Sequence, residues 1–275
     1  MKKAWYSTAL VSILALSLFV AGCGSSNQGA TGGQGGNTTA KNSLEAIKTA
    51  GKIRIGTEGT YAPFTYHDST GQLTGFDVEI AREVAKRLGV EPEFIESKWD
   101  GMIAGLEANR FEMVVNEVGI RPDRKEKFDF SDPYIVSKAV LIVNEDNNEI
   151  KTFADLKGKK SAQTLTSNLT DLARENGAEI VQSEGFNQAI ELLLSKRVDA
   201  TVNDGLSFLD FKKQKPDVKI KIAAEHPNAT ENGMMFAKGK HPELIEAVNK
   251  ALKEMKADGT YLKISEKYFG ADVSK

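Results

Sequence analysis

Cysteine is nearly absent. The 275-residue chain holds one, Cys23, so no intramolecular disulfide can form. Histidine is scarce too, and His67, His226 and His241 are scattered without the spacing of metal ligands. The chain has no Gly-x-Ser-x-Gly elbow and no His-Glu-x-x-His pair, and Gly158-Lys-Lys-Ser161 lacks the upstream glycine of a phosphate loop. Catalysis is therefore not expected, and neither is a metal or cofactor. The formal charge is only −2. No basic block or interleaved aromatic–basic stripe is present, which argues against a nucleic-acid partner. Tandem repeats of short period are missing. Long apolar runs are missing as well, apart from one stretch at the amino terminus.

That stretch begins after Lys2 and Lys3. Residues 4–20 are apolar except for Ser7, Thr8, Ser12 and Ser17, and Ala21, Gly22 and Cys23 follow. A basic start, a short apolar core and small residues at a cleavage site form the pattern of a secretory signal. The alternative is a membrane anchor, but an untilted span needs roughly 20 mostly apolar residues. Val20-Ala-Gly-Cys23 resembles the bacterial lipobox, in which the thiol is acylated and the signal is cut before it. Residues 1–22 are thus expected to be a lipoprotein signal, Cys23 a lipidation site, and the body to sit at the extracytoplasmic face of a bacterial membrane. Residues 23–40 carry no large apolar side chain and six glycines. They read as a flexible tether with a typical reach of roughly 20–25 Å.

From Lys41 about 235 residues remain, enough for one large domain or two small ones. Lys52-Ile-Arg-Ile-Gly56 alternates as a strand does. In residues 75–89, Val78, Ala81, Val84, Ala85 and Leu88 share one helical face before a Gly89 stop. Pro92-Glu-Phe-Ile95 reads as a strand, 99–109 as a helix and Met113-Val-Val115 as a buried strand, and the succession recurs from Lys160 to Val202. Alternating strands and helices predict a largely parallel sheet. Residues 99–117 also align without a gap on 186–204. Trp99 meets Phe186, Arg110 meets Arg197, and Val115-Asn-Glu117 meets Val202-Asn-Asp204. Two similar α/β lobes are expected, each with an acid just past the carboxyl end of a strand, where ligands of open α/β sheets bind.

Several ordered motifs then resemble one family, the polar amino-acid-binding proteins of ABC importers known as solute-binding family 3. They are Gly56-Thr-Glu-Gly-Thr-Tyr-Ala-Pro-Phe64, Gly75-Phe-Asp-Val-Glu-Ile80, Arg121-Pro-Asp-Arg124, Phe128-Asp-Phe-Ser-Asp-Pro-Tyr134, Asp155-Leu-Lys-Gly-Lys159, and Asp258-Gly-Thr through Tyr268-Phe-Gly270. Ser161-Ala-Gln-Thr-Leu-Thr-Ser-Asn168 and the ending 266–275 look most like cystine-binding members. The resemblance implies a two-lobed, periplasmic-binding-protein-like α/β fold of type II, with the ligand cleft between lobes and two crossover hinge strands. Residues 41–137 with 237–275 would form lobe 1, and 138–236 lobe 2 with the hinge strands. It implies an extracytoplasmic, monomeric binder that traps an L-amino acid by hinge closure and delivers it to permease and ATPase subunits, with cystine as the favoured ligand.

A desolvated amino acid needs partners for its carboxylate, its ammonium and its side chain. Arg124 suits the carboxylate, since its planar fork bonds both oxygens, and it matches the family's carboxylate-binding arginine. Asp204 suits and matches the ammonium position; its alternative role is a turn before Gly205. By resemblance Glu58 is a second cleft acid, Asn116 and Gly119 line the cleft, and Thr166 and Ser167 complete the carboxylate cage with hydroxyl and amide donors. Tyr61 and Trp99 match flanking aromatics, with plain core packing as the alternative. Two positions depart from the family: Arg121, often threonine, and Glu117, often glutamine or small. Either this opposite-charge pair faces the far end of a long ligand such as cystine, or it is a rim salt bridge. An enzyme on the same fold, of the prephenate- or arogenate-dehydratase kind, a receptor's sensory domain and a binder of another polar amino acid such as glutamine are the alternatives.

Overall fold

The computed structural model describes residues 43–275; the expected signal segment 1–22, Cys23 and the tether 23–40 lie outside the described residues. The chain runs α1 (Ser43–Ala50), β1 (Lys52–Thr57), β2 (Thr60–Tyr61), β3 (Thr65–His67), β4 (Leu73–Thr74), α2 (Phe76–Leu88), β5 (Glu91–Glu96), α3 (Trp99–Glu107), β6 (Met113–Gly119), α4 (Pro122–Lys127), β7 (Phe128–Phe130) and β8 (Ile135–Asn144). A 3₁₀ turn at Phe153–Leu156 follows. Then come β9 (Lys160–Gln163), α5 (Asn168–Glu175), β10 (Glu179–Gln182), α6 (Phe186–Leu194), β11 (Ala200–Asp204), α7 (Gly205–Gln214), β12 (Ile220–Ala237), α8 (Pro242–Ala257) and α9 (Thr260–Phe269).

The principal sheet has the order β10-β9-β11-β8-β12-β6-β1-β5. At one end β1 pairs in parallel with β5 and β6, and at the other β9 pairs in parallel with β10 and β11. The expected parallel α/β halves are both present. Between them β8 and β12 form a long antiparallel ladder, and each is bonded to one half: β8 to β11, β12 to β6. These strands contain the bounds expected to divide the lobes, 137/138 in β8 and 236/237 in β12. They also add antiparallel pairing that the alternating pattern did not suggest.

The sheet is covered on both faces, which is why its strands read as continuous apolar runs. In β6, Met113 and Val115 join one core cluster and Val114 and Val118 another. In β8, Val140 and Ile142 pack on one side and Leu141 and Val143 on the other. Helix α2 buries Val78, Ala81, Val84, Ala85 and Leu88 as its spacing predicts, and Gly89 ends it at φ 75°.

The internal echo is structural as well as textual. Each copy is a helix, a left-handed residue and a strand: α3, Asn109 (φ 54°) and β6, then α6, Lys196 (φ 56°) and β11. The helix ends are closed by the same pattern, with Asn109 N–H donating to Leu106 and Arg110 N–H to Gly105, against Lys196 to Leu193 and Arg197 to Leu192. Shared apolar spacing alone does not require two non-glycine residues to take this conformation at equivalent positions.

Candidate functional site

The carboxyl ends of the strands in both halves, and the helix starts that follow them, meet around one cavity of about 600 Å³ including its mouth. Glu58 follows β1, Trp99 opens α3, and Asn116 and Glu117 sit late in β6. From the other half, Thr164 and Ser167 lie between β9 and α5, Phe186 opens α6, and Asn203 and Asp204 end β11. The rule that ligands bind where the strands of an open α/β sheet end accounts for the place.

The first half supplies an acid-rich wall. Asn116 holds Glu58 twice: its Oδ1 accepts from the Glu58 N–H at 2.8 Å, and its amide donates to Glu58 Oε2 at 2.8 Å. Burial raises Glu58 to a pKa of about 7. Glu117 occupies an irregular stretch of β6. Gly119 and Val118 face Asn232 and Gly233, yet Val114 faces Met235, so Val115 to Glu117 oppose Met234 alone. Such bulges re-aim side chains. Here Glu117 takes φ 50°, a conformation that costs a non-glycine residue on the order of 1–3 kcal/mol and tends to be kept at functional sites. Its N–H donates to Asp77 Oδ2 at 2.6 Å, while its carboxyl accepts from the Tyr61 hydroxyl and the Ser137 hydroxyl, each at 3.3 Å. Burial, then the charges of Asp204 and Asp77, push the Glu117 carboxyl well above the ordinary range. Asp77 itself, in the first turn of α2, is fully buried, accepts from Tyr134 at 2.9 Å, and is raised to about 7 by burial.

The second half contributes Asp204, 4% exposed. It caps α7: its Oδ1 accepts from Leu206 N–H at 2.8 Å and Ser207 N–H at 3.4 Å. The turn role weighed for Asp204 is therefore real, and the cap uses only one of its two oxygens. Burial raises the group to about 6. Ser167 similarly caps α5 through Leu169 N–H at 3.1 Å.

Seven of the expected site residues line the cavity: Glu58, Tyr61, Trp99, Asn116, Glu117, Ser167 and Asp204. Gly119 is adjacent, since a Cβ there would lie 3.2 Å from Thr230 and 3.4 Å from Asn168, both lining residues. Arg124, 6% exposed, lies behind the lining. It donates to the carbonyls of Gly119 at 3.0 Å and Thr166 at 3.3 Å, with its guanidinium carbon 5.4 Å from the Trp99 ring centre. Burial lowers it to about 10, still cationic at neutral pH.

Two expectations need correction. Thr166 does not present its hydroxyl to the cavity: Oγ1 donates to Asp100 Oδ1 at 2.7 Å, and the Thr166 N–H joins it at 3.0 Å. Arg121 does not pair with Glu117. Its guanidinium is held by Asp123 and by Asp171 of α5, each at 2.9 Å, a different salt bridge from the one with Glu117 that the sequence suggested. Two nearer carboxylates outcompete a half-buried one that sits across the bulge.

Asn203 and Phe186 line the cavity but were not assigned to the site from the sequence. The signal was present, because they are the echo partners of Asn116 and Trp99. Asp100, which grips the Leu165–Thr166 backbone from the other half, carried no signal. Further contacts cross between the halves: Tyr61 hydroxyl to Asn203 at 2.9 Å, Asn187 to the Thr60 carbonyl at 3.2 Å, Ser207 to the Ala62 carbonyl at 3.1 Å, and the ion pair Lys98–Glu184.

A model of the bacterial extracellular solute-binding proteins, family 3, matches residues 53–271. The chain is 48% identical to the L-cystine-binding protein TcyA of Bacillus subtilis (strain 168), over 100% of both chains. The L-cystine solute receptor of Neisseria gonorrhoeae, solved in an unliganded open conformation, is 47% identical, covering 84% of this chain and 98% of that one, with a TM-score of 0.56. An ancestral arginine-binding protein bound to arginine is 40% identical, covering 80% and 98%, yet superposes better, with a TM-score of 0.75.

Proposed function

The chain belongs to the bacterial extracellular solute-binding proteins, family 3, and from that membership we propose that it captures L-cystine between two closing lobes and delivers it to an ABC permease. The observation that carries the reading is the convergence, on one cavity between the halves, of Glu117 and Asp204, the two acids that end the echoing units. An ammonium held there would touch both halves at once. Arg124, cationic and next to Gly119 and Trp99, takes the ligand carboxylate in this reading. Ligand binding turns its fork from the Thr166 carbonyl or adds a carboxylate oxygen beside it. The lobes are residues 41–137 with 237–275 and residues 138–236, hinged at β8 and β12. The relatives that bind L-cystine by name support the ligand.

The contacts between the halves support a closed arrangement, as does the better superposition on a liganded relative than on an unliganded open one of higher identity. The lipid on Cys23 and the tether 23–40 keep this monomeric binder near its permease, which raises its effective concentration there. Loss of membrane attachment in Cys23→Ala tests that part.

Calorimetry with L-cystine, L-cysteine, L-glutamine and L-arginine tests the binding. Tightest binding of L-cystine is expected, and retention of none of them would overturn the reading. A cationic amino acid is the second reading. It is favoured by an excess of acids over Arg124 in and around the cavity, and tighter binding of L-arginine would establish it.

A further inference from the structure

Among the described residues, four buried side-chain polar atoms have no hydrogen-bond partner: Ser43 Oγ, Ser183 Oγ, His241 Nδ1 and Trp99 Nε1. Of these residues Trp99 alone lines the cavity. It is also the one that cannot adapt. A hydroxyl rotates and an imidazole changes tautomer, but an indole nitrogen only donates, in the plane of its ring. A buried donor left unpaired is costly and calls for an acceptor from elsewhere.

The surrounding side chains do not supply one. Trp99 is 8% exposed, and on its buried side it clusters with Met102, Leu106, Phe111, Val114 and Val118, whose side chains carry no oxygen. Over its face stands Arg124, with the guanidinium carbon 5.4 Å from the ring centre, and a guanidinium only donates. The Glu58 carboxyl is engaged by the main-chain N–H of Trp99 and by the Asn116 amide, not by the indole. The cavity is the side left from which an acceptor can come. A ligand carboxylate held by Arg124 lies with it over the ring face, whereas the indole N–H leaves from the ring edge. The acceptor is therefore a second oxygen of the ligand, further along its side chain.

We propose that the Trp99 indole N–H donates to an oxygen on the ligand's side chain, and that this bond makes the site select amino acids whose side chains end in a carboxylate or amide oxygen. This rests on the amino-acid-binding reading above and narrows its ligand class. The far carboxylate of L-cystine is such an acceptor. The side chain of L-arginine offers donors alone and leaves the indole unpaired, so the bond favours the first of the two readings over the second. Trp99 is then a specificity-determining residue through its N–H, beyond the apolar wall its ring provides.

Nuclear magnetic resonance of the isotope-labelled full chain carrying Trp5→Phe reads the bond directly, because Trp99 is then its only indole. Saturation with L-cystine is expected to move the indole proton downfield and to slow its exchange with water by about tenfold or more. S-methyl-L-cysteine, which has no oxygen beyond its α-carboxylate, is expected to leave the proton near its unliganded position. In calorimetry Trp99→Phe, which keeps an aromatic ring and loses the donor, is expected to cost L-cystine about tenfold more in Kd than it costs S-methyl-L-cysteine. L-cystine bound with the indole proton unmoved overturns the proposal and leaves the amino-acid reading intact. The same response to both ligands overturns it too, by placing the acceptor in the α-carboxylate or in a water, as do equal losses of affinity in Trp99→Phe. Should Trp99→Phe fail to fold, or S-methyl-L-cysteine bind too weakly to compare, the response of the indole to L-cystine decides the matter. If no amino acid binds at all, the reading beneath the proposal falls and the proposal with it.

Discussion

At the scale of single residues, the cavity owes its character to carboxyls placed where they are hard to ionise. Asp204 does two jobs, and they can be separated. Asparagine keeps an oxygen for the Leu206 and Ser207 N–H groups but loses the charge. Asp204→Asn is therefore expected to weaken binding of the best amino acid by about 100-fold or more. The melting temperature of the unliganded protein should stay the same or rise. An equal loss of affinity and stability would instead assign Asp204 to the cap alone. Among these residues, chemistry and motif together made Asp204, Glu58, Tyr61 and Trp99 legible from sequence. Thr166 was misread because a hydroxyl's direction depends on which acceptor reaches it first, and Asp100 comes from 66 residues away.

At the scale of elements, the two halves grip each other through pieces that no local pattern announces. Asp100, in the first turn of α3, accepts from Leu165 N–H, Thr166 N–H and Thr166 Oγ1. These bonds exist only while the halves are together, so they belong to the closed state in the reading proposed above. Asp100→Ala is expected to speed ligand dissociation by roughly tenfold and to change association by less than about threefold, as stopped-flow fluorescence would measure. Arg121 ties the start of α4 to α5 through Asp171 at the rim. Arg121→Ala should cost L-cystine and a short polar amino acid the same small factor, about threefold or less. A loss confined to L-cystine would restore the direct contact with the ligand's far end. The helix–strand echo, by contrast, was readable in advance, since apolar spacing and the Val-Asn-acid ending both survive in sequence. The left-handed Asn109 and Lys196 were not, because neither residue type demands that conformation.

At the scale of the whole molecule, buried acids make stability depend on pH. Glu58 and Asp77 are raised to about 7 and Asp204 to about 6, against 4.5, 3.8 and 3.8 for ordinary groups. The folded chain thus holds protons that the unfolded chain has already lost. Their stabilising contribution is complete below about pH 4 and disappears as pH rises through 6 to 7. The unliganded protein should melt at a higher temperature at pH 5.5 than at pH 7.5, by several degrees in a thermal scan. Saturating amino acid should shrink that difference, because an ammonium replaces the proton's role. A melting temperature that climbs with pH across this range would show that the acids are ionised and solvated.

The sequence by itself determined the alternation of helices and strands, the family motifs, the duplicated unit and the residue types that can hold a zwitterion. Each is written in local spacing or in short runs of side chains, so each is readable without knowing where the chain goes next. The tertiary structure alone decided that β8 and β12 bring the two copies face to face. It also decided that Glu117 is turned by a bulge toward Tyr61 and Ser137 and not toward Arg121, and that Asp100 takes the Thr166 hydroxyl. These outcomes depend on distances between residues far apart in the chain, which pairing across the sheet sets and composition does not encode.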